Sequence, residues 1–547
     1  MQRKTLLFLA LLLFGSESLA SPVRRDDAAS PQEGPRWSCL EYIDPLDQRK
    51  KKVWPCSAIE AEMEGVESLE KRQERADTQE SQFKINFKCR AGNQALCNKA
   101  QADFELAGKL LSDSLVLKKP ITVDAEFFSF CREIDGNCAR PNNILGFAAP
   151  ARMFPMKDVD GEVRMFPQSL VKQMTDKADF AKDDITARFN SDFPYRFAQD
   201  GENAPRVRGQ TDFLELIMHE MTHGLGFLSL WGDEVAPGAS RLLTPMLNLR
   251  IQKDGSAIFT GFSESAFDRF MATFPDGSSM TEQTKQLNQF NNGKPFNAKT
   301  PLELAQAVDQ SPQGKIARAM MAKATQFKGM GFVPAGKQAS DAFFLETSLN
   351  PFVQGSSVSH VDQRTHQRNA DRLMIFESDP NISFVQSIQR FGGPVGPELL
   401  SVFKSIGYSV REVSSEQVLG EIRGAASNRA ASNQVAGSQG VRKSPKARAK
   451  AAAELAEKLT AKAKEEVARA KEDTGARSRE AAAPKAAEET PTKSKEEEAT
   501  VPANEEATAP KPKKKKNGRV RKPKRKKKAA KLQKAKAGRE PEAAKTA

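Results

Sequence analysis

Residues 211–227 constrain this chain more than any other stretch, because they contain His-Glu-x-x-His in a run that is apolar nearly all round. Helical spacing places His219 and His223 one turn apart on the same face, so both imidazoles can reach one metal ion, for which Zn²⁺ is the natural choice. Glu220 would lie beside that ion, where its carboxylate can take a proton from a water. Two ordinary core histidines are the alternative, but they would leave a carboxylate buried without a partner. The spacing predicts a buried metal-binding helix that ends near Gly224.

A third metal ligand must come from outside this helix, because a catalytic zinc commonly takes three protein ligands and a water. The chain has four histidines, which leaves His360 and His366. His360 follows the small residues of 355–359, which suit a close approach beneath the helix, whereas the polar neighbours of His366 are typical of an exposed segment. The sequence favours His360, with His366, or a carboxylate such as Asp362 or Glu377, as the alternative.

The segment from His219 to Phe227 resembles the active-site helix of zincin metallopeptidases, and most closely that of leishmanolysin-type metzincins. The common metzincin motif would place its third histidine where this chain has Ser229, and leishmanolysin-type enzymes are similar to this chain in delaying it behind an insertion. Three later segments also resemble that family: 355–362 its late-histidine segment, 372–375 a Met-turn around Met374, and 397–408 a closing helix.

This resemblance implies an α+β zincin fold and hydrolysis of protein or peptide substrates, with Glu220 as the catalytic residue. It also implies one catalytic Zn²⁺, held by His219, His223 and His360. Some relatives use a tyrosine just after the Met-turn, and here the tyrosines are instead Tyr42, Tyr195 and Tyr408. No further oxyanion donor or substrate-binding residue is identified.

Four segments before the metal helix give a coarse fold. Residues 83–87 and 121–127 alternate as half-buried strands, and 100–111 has helical spacing. This order fits a twisted mixed sheet backed by helices. Residues 184–190 are expected to form the last strand before the metal helix. The resemblance to zincins implies that this strand lies at an edge and pairs with extended substrate. The alternative for 184–190 is an internal strand without a ligand.

Composition divides the chain into four parts. They are a secretory signal peptide at 1–20, a charged, irregular leader or propeptide at 21–81, a zincin-like domain at 82–412, and a disordered Ala/Lys/Glu-rich basic tail at 413–547. Within the domain, an insertion at about 232–355 is expected to be helical at 267–274 and 301–321. No segment after the signal is long enough for a transmembrane helix, so a secreted, extracellular protein is expected.

Six cysteines precede the metal helix, and an even count in a secreted chain implies disulfides. Short separations favour the pairs Cys39–Cys56, Cys89–Cys97 and Cys131–Cys138. Alternatively, an unpaired Cys39 or Cys56 could cap the zinc of an inactive precursor, as a propeptide cysteine does in some metzincins. Residues 381–383 form an N-glycosylation sequon.

The tail carries the whole basic excess of the chain. Residues 442–547 contain 33 basic and 16 acidic residues, a net charge of +17, and the total is +14, so residues 1–441 carry −3. Such a tail would attract anionic surfaces or nucleic acid non-specifically. A solvated, cleavable tail without a partner is the alternative. The rival for the whole protein is a non-catalytic secreted binding protein that the tail attaches to anionic surfaces.

Overall fold

The structure, a computed structural model, describes residues 37–42, 51–60, 82–138, 144–202, 204, 207, 209–236, 241–254, 256–378 and 382–437. The chain divides into two units, Met1–Lys443 and Ser444–Ala547, and all described residues belong to the first. The predicted signal peptide, Asn381 of the sequon and the tail beyond 437 lie outside the described residues. The described part is α+β with mixed sheets.

Its strands are β1 (Trp37–Tyr42), β2 (Lys51–Cys56), β3 (Phe83–Cys89), β4 (Leu115–Val116), β5 (Ile121–Phe128), β6 (Gly146–Pro150), β7 (Arg152–Lys157), β8 (Val163–Pro167), β9 (Ile185–Asn190), β10 (Tyr195–Arg196), β11 (Thr211–Asp212), β12 (Met246–Ile251), β13 (Ala257–Ser263), β14 (Met271–Thr273), β15 (Phe296–Ala298), β16 (Met330–Phe332), β17 (Phe343–Phe344) and β18 (Ser409–Val410).

Its α-helices are α1 (Gln94–Ser114), α2 (Phe130–Glu133), α3 (Gln168–Met174), α4 (Phe213–Gly224), α5 (Met280–Leu287), α6 (Pro301–Gln310), α7 (Pro312–Ala324), α8 (Gln363–His366), α9 (Phe384–Phe391), α10 (Pro397–Ile406) and α11 (Ser415–Gly437). The helices predicted at 100–111, within 211–227 and within 397–408 are confirmed as α1, α4 and α10.

A four-stranded mixed sheet supports α4. Its order is β3-β5-β9-β6, with β3, β5 and β9 parallel and β6 antiparallel to β9. The predicted strands at 83–87 and 121–127 are confirmed as β3 and β5, and alternate residues of β5 are buried. Phe104 of α1, Phe189 of β9 and Phe213 of α4 meet with ring centroids 5.1 to 6.0 Å apart. These aromatic contacts hold α4 against the sheet.

The prediction that 184–190 forms an edge strand is wrong. β9 lies between β5 and β6 and pairs with both, so its backbone groups are already used. β10 and β11 also come between β9 and α4. The strand β6 is short, contains Gly and Ala, and follows a segment without a clear hydrophobic period. Its pairing with β9 is a tertiary contact, which the alternation within one segment does not predict. The strand at this edge of the sheet is β6.

Part of the predicted irregular leader is strand. β1 pairs with β2 and with β7, forming the sheet β2-β1-β7-β8. Leu40 is fully buried against Met153, Met165, Leu230 and Met246, in a small second core. The charged composition of the leader hides these few apolar residues, which gain strand structure by pairing with β7. Removal of the leader by cleavage stays a prediction.

The insertion is not only helical. Its helices α6 and α7 confirm the prediction for 301–321, with a break at Ser311, whose side chain caps α7 before Pro312. Residues 267–274 are instead a 3₁₀ turn, Asp268–Phe270, followed by β14, which pairs with β16. Tertiary pairing overrides helical composition here. The insertion also contains α5 and two three-stranded sheets, β12-β13-β15 and β14-β16-β17.

All three predicted disulfides are confirmed: Cys39–Cys56, Cys89–Cys97 and Cys131–Cys138. Cys39 and Cys56 are therefore bonded to each other, which contradicts the alternative in which one of them caps a zinc ion. The three disulfides are consistent with a protein of the secretory pathway. Among the helices of the described residues, none is both long and apolar enough to span a membrane.

The folded part extends beyond the predicted boundary at 412, because α11 packs on the domain. Its Val418, Leu419 and Ile422 are buried, and Arg423 pairs with Glu202 at 2.8 Å. The prediction that the disordered tail begins at 413 is therefore wrong for the residues of α11. The sequence signal missed here is the i, i+4 spacing of Val418 and Ile422 within an otherwise polar segment.

Truncation after Glu412 should destabilise the protein relative to truncation after Gly440. Each buried aliphatic side chain of α11 contributes about 1.5–3 kcal/mol, so the loss should be several kcal/mol and the melting temperature should fall by many degrees. Thermal unfolding of the two truncated proteins, followed by circular dichroism, measures the difference. Equal melting temperatures would show that α11 adds nothing to the domain.

Candidate metal centre

Three imidazoles converge at the C-terminal half of α4. His360 Nε2 lies 3.1 Å from His219 Nε2 and 3.3 Å from His223 Nε2. Among the described residues, these three form the group of His, Cys, Asp and Glu side chains suited to hold a metal ion. His219 and His223 come from successive turns of α4, and His360 comes from the segment before α8. The structure therefore brings together the three histidines that the sequence favoured as metal ligands.

Each imidazole is oriented by a backbone carbonyl. His219 Nδ1 lies 2.7 Å from the Leu373 oxygen, His223 Nδ1 lies 2.8 Å from the Phe227 oxygen, and His360 Nδ1 lies 3.0 Å from the Ser356 oxygen. A carbonyl only accepts, so each Nδ1 carries the proton and donates it. Each Nε2 then keeps its lone pair, which is the form that binds a metal.

The donor set fits Zn²⁺. Nitrogens held about 2.0–2.1 Å from one zinc ion at tetrahedral angles lie about 3.3 Å apart, close to the separations of His360 from its two partners. Burial lowers the pKa of His219 to about 4 and that of His223 to about 3, and it lowers that of His360 well below its usual value. All three imidazoles are therefore neutral at pH 7, so a cation meets no repelling charge from them.

Glu220 lies on the same helix with its carboxylate beside the triad. It lines the same cleft as the histidines, and its Oε2 accepts a hydrogen bond of 3.0 Å from the Ala148 amide of β6. Burial raises the pKa of Glu220 to about 8, and the Ala148 amide opposes the shift. A divalent cation on the histidines would favour the charged carboxylate. The side chain is thus placed to exchange protons near neutral pH.

The end of α4 shapes the site, as the two glycines predicted. Gly226 has φ +112°, a conformation that side chains with a Cβ rarely adopt. A Cβ on Gly224 would lie 2.5 Å from Ile185 Cγ2, so only glycine lets α4 approach β9 this closely. The chain then turns so that the Phe227 carbonyl faces His223.

Ser229, which stands where the common motif has a histidine, has a structural place here. Its amide donates to Ser359 Oγ at 3.3 Å, next to His360. Asp268 of the insertion accepts hydrogen bonds from the amides of Leu230 and Ser265 at 3.0 and 2.8 Å. The insertion is therefore packed against the segment that supports the third histidine.

The turn Arg372–Met374 supports two of the three ligands. The Leu373 carbonyl accepts from His219, and the Met374 carbonyl accepts from the Val361 amide at 2.9 Å, directly after His360. The Met374 side chain is fully buried. The segment predicted as a Met-turn therefore contacts His219 and the backbone directly after His360.

The alternative ligands lie elsewhere. The polar neighbours Arg364, Gln367 and Arg368 are exposed, as predicted for this segment, but His366 itself is buried. Its Nδ1 lies 3.1 Å from Asn369 Nδ2 and 3.2 Å from a Glu398 oxygen. α8 carries its polar residues on one side and turns His366 toward the core, which composition alone does not show. Asp362 is a buried cap of α8 that accepts from the Thr365 amide, and Glu377 is an exposed residue of the cleft wall.

The three tyrosines are engaged outside the triad. Tyr195 donates to the Asn190 and Leu145 carbonyls at 2.8 and 3.1 Å, Tyr408 lies 3.0 Å from Ser169 Oγ, and Tyr42 donates to Met153 Sδ. Burial raises the pKa of all three phenols above the usual value. Each phenol is therefore protonated at pH 7 and bonded to the partners named here.

An open cleft of about 970 Å³ runs over the triad. Its lining includes Gly146 and Phe147 of β6 and residues of the Arg372–Met374 turn. The apolar lining residues include Ile144, Leu145, Phe147, Phe193, Leu216 and Phe376. The cleft is large enough for several residues of an extended peptide.

Sequence reasoning missed two parts of this site. The amide of Ala148 was not expected to hold Glu220, because β6 gave no local signal. The buried ion pair between Glu215 and Arg372, 2.7 Å apart, was also missed. The signal that could have found this pair is Glu215 itself, because a carboxylate in an apolar helix needs a buried partner of opposite charge.

Comparison with known proteins gives a family but no solved relative. The family described as SPBPB7E8-like matches residues 44–449, which include α4, His360 and α11. The uncharacterized protein PB7E8.01 of Schizosaccharomyces pombe is 29% identical over 374 residues, covering 61% of this chain and 63% of that protein. The chain thus spans less than two thirds of the length of this relative. No solved structure matches the chain. Because the match covers most of its length, this chain belongs to the SPBPB7E8-like family.

Proposed function

We propose that this protein is a secreted zinc-dependent metalloendopeptidase of the zincin type. The observation that carries the proposal is the convergence of three neutral imidazole nitrogens beside Glu220 in an open cleft. Three histidine ligands with an open side are typical of catalytic zinc, whereas structural sites use four protein ligands. The order of the supporting elements, from the metal helix to the late histidine and the turn at Met374, agrees with the leishmanolysin-type arrangement.

The chemistry of the chain centres on Glu220. When bound, Zn²⁺ would act as a Lewis acid toward the peptide carbonyl and the attacking water. Glu220 takes a proton from that water as it attacks the carbonyl, and later delivers a proton to the leaving amine. The Ala148 amide fixes one oxygen of Glu220, which leaves the other oxygen for this transfer. Burial, which raises the pKa of this side chain, makes its protonated form accessible for the second step.

Substrate binding is proposed for β6 in place of the strand at 184–190. β6 is the last strand of its sheet, and Gly146 and Phe147 line the cleft. An extended peptide can add to such an edge through main-chain hydrogen bonds, so its sequence is read only by the side pockets. The apolar walls favour large apolar side chains near the scissile bond.

Casein hydrolysis should stop when a chelator removes the metal and return when stoichiometric zinc is added. In the proposed mechanism, hydrolysis depends on the metal ion as a Lewis acid, and the chelator removes that ion. The three histidines remain in place and can bind the added zinc again. Fluorescent casein and metal analysis of the same samples test this. Full hydrolysis by a protein shown to contain no metal would refute the zinc-dependent mechanism. No hydrolysis by the zinc-loaded protein would favour the rival, a secreted binding protein without catalysis.

We further propose that the basic tail attaches the protein to anionic surfaces or nucleic acid without sequence selectivity. Truncation after Gly440 should leave the melting temperature and casein hydrolysis nearly unchanged, because α11 is retained. Binding to heparin at low salt should be lost, since residues 442–547 carry the net +17. Heparin-column elution in a salt gradient measures this. Unchanged elution of the truncated protein would place the binding elsewhere.

A further inference from the structure

The ion pair between Glu215 and Arg372 lies where it can act on the histidines. Glu215 precedes His219 by four residues, so it lies one turn earlier on the same face of α4. Its Oε1 is 2.7 Å from Arg372 Nη1, and both side chains are more than nine-tenths buried. Arg372 precedes Leu373, whose carbonyl accepts the proton of His219. The pair and this hydrogen bond therefore join α4 to the Arg372–Met374 turn at two successive points.

The same turn also holds the segment of the third ligand. The Met374 carbonyl accepts from the Val361 amide, which follows His360 directly. A displacement of the turn would move the acceptor of His219 and the backbone beside His360 together. The two ligands come from segments that are 141 residues apart in sequence, and this three-residue turn contacts both.

The pair is poorly suited to stabilise the fold alone. Nε and Nη2 of Arg372 are buried and have no hydrogen-bond partner within the part of the chain that the structure describes. A buried guanidinium with two unused donors loses much of its hydration without full compensation. Buried ion pairs of this kind are best attested as devices that fix one arrangement among several. Here the arrangement fixed is the position of the turn relative to α4.

We infer that Glu215 and Arg372 are positioning residues of the metal centre. The pair holds the turn so that the Leu373 carbonyl orients His219 and the Met374 carbonyl anchors the His360 segment. Neither residue is a metal ligand. The inference rests on the metal site of the proposed function and is independent of the peptidase reaction.

The test is the zinc affinity of the full chain, produced through a secretory pathway so that its disulfides form. Glu215→Gln keeps the size and a hydrogen-bond acceptor but removes the charge. It should raise the zinc Kd about 10- to 100-fold, the usual cost of losing support for a ligand. The visible spectrum of the Co²⁺-substituted protein should change as well, because the ligand geometry changes.

Glu264→Gln is the matched control. Glu264 Oε1 pairs with the buried Arg164 at 2.6 Å, and the other carboxylate partners of Arg164 are Asp158 and Asp160. It should lower the melting temperature of the metal-free protein but leave the zinc Kd within about threefold. A purely structural role of Glu215 would give the same result as this control.

The double variant Glu215→Leu with Arg372→Met covers the case in which Glu215→Gln does not fold. Replacing both charges with apolar groups avoids an unpaired buried charge and is often neutral for stability. It should fold and still bind zinc at least tenfold more weakly. If the folded variants keep the wild-type zinc affinity and the wild-type Co²⁺ spectrum, the positioning inference is overturned but the metal site is not. A wild-type protein that binds no zinc would overturn the metal site itself, and the inference with it.

Discussion

Glu220→Gln should abolish peptide hydrolysis, with a fall in kcat of at least about 1000-fold, and should leave the zinc content unchanged. Glutamine has nearly the same shape and can still accept from the Ala148 amide, so α4 and the histidines should stay in place. It cannot take a proton from water or deliver one to the leaving amine. The loss therefore falls on the chemical step and not on metal binding.

Casein hydrolysis and zinc content of the same purified variant measure the two quantities. Glu377→Gln is the control, because Glu377 lines the cleft but is exposed and lies outside the triad. It should keep activity within a few-fold of wild type. Undiminished hydrolysis by the Glu220 variant would remove this residue from the mechanism.

His360→Ala should lose zinc and activity together. Two of three ligands would remain, and the zinc Kd should rise by more than about 100-fold, which exceeds the effect of losing a supporting group. The variant should otherwise fold, because the Ser356 carbonyl that accepts from His360 lies next to the open cleft.

His366→Ala is the natural comparison, since it removes the same side chain six residues later. His366 is buried and close to Asn369 and Glu398. This variant should therefore lower the free energy of unfolding by about 1–3 kcal/mol and lower the melting temperature with it. It should nevertheless keep zinc after dialysis. Retention of zinc by His360→Ala with loss by His366→Ala would transfer the third ligand to His366.

The local sequence determined the metal helix. The i, i+4 spacing of His219 and His223 fixes both on one face of any helix formed there, and Gly224 with Gly226 ends that helix whatever surrounds it. The alternation of β3 and β5 and the spacing of α1 were also readable, since each pattern lies within one element. The short separations of the cysteines indicated their pairs for the same reason.

Composition gave wrong predictions for elements whose structure depends on strand pairing or on packing against the rest of the domain. The sequence of β9 suggests an edge strand, but β6 pairs with its free side. The sequences of β1 and β2 look irregular, but these strands pair with each other and β1 also pairs with β7. Residues 267–274 have helical composition but form a turn and β14, because pairing with β16 satisfies their backbone. His366 has polar neighbours, but the orientation of α8 buries it. In each case the outcome depends on a partner distant in sequence.

The site divides in the same way. The sequence by itself determined how His219, Glu220 and His223 lie relative to one another, because a helix places these three positions by geometry alone. Only the tertiary structure placed His360 within 3.1 Å of His219, and only it supplied the carbonyls of Leu373, Phe227 and Ser356 that orient the three rings. Carbonyls belong to every residue and have no signature in sequence, so their direction is set by how the turn, the insertion and the sheet pack around α4.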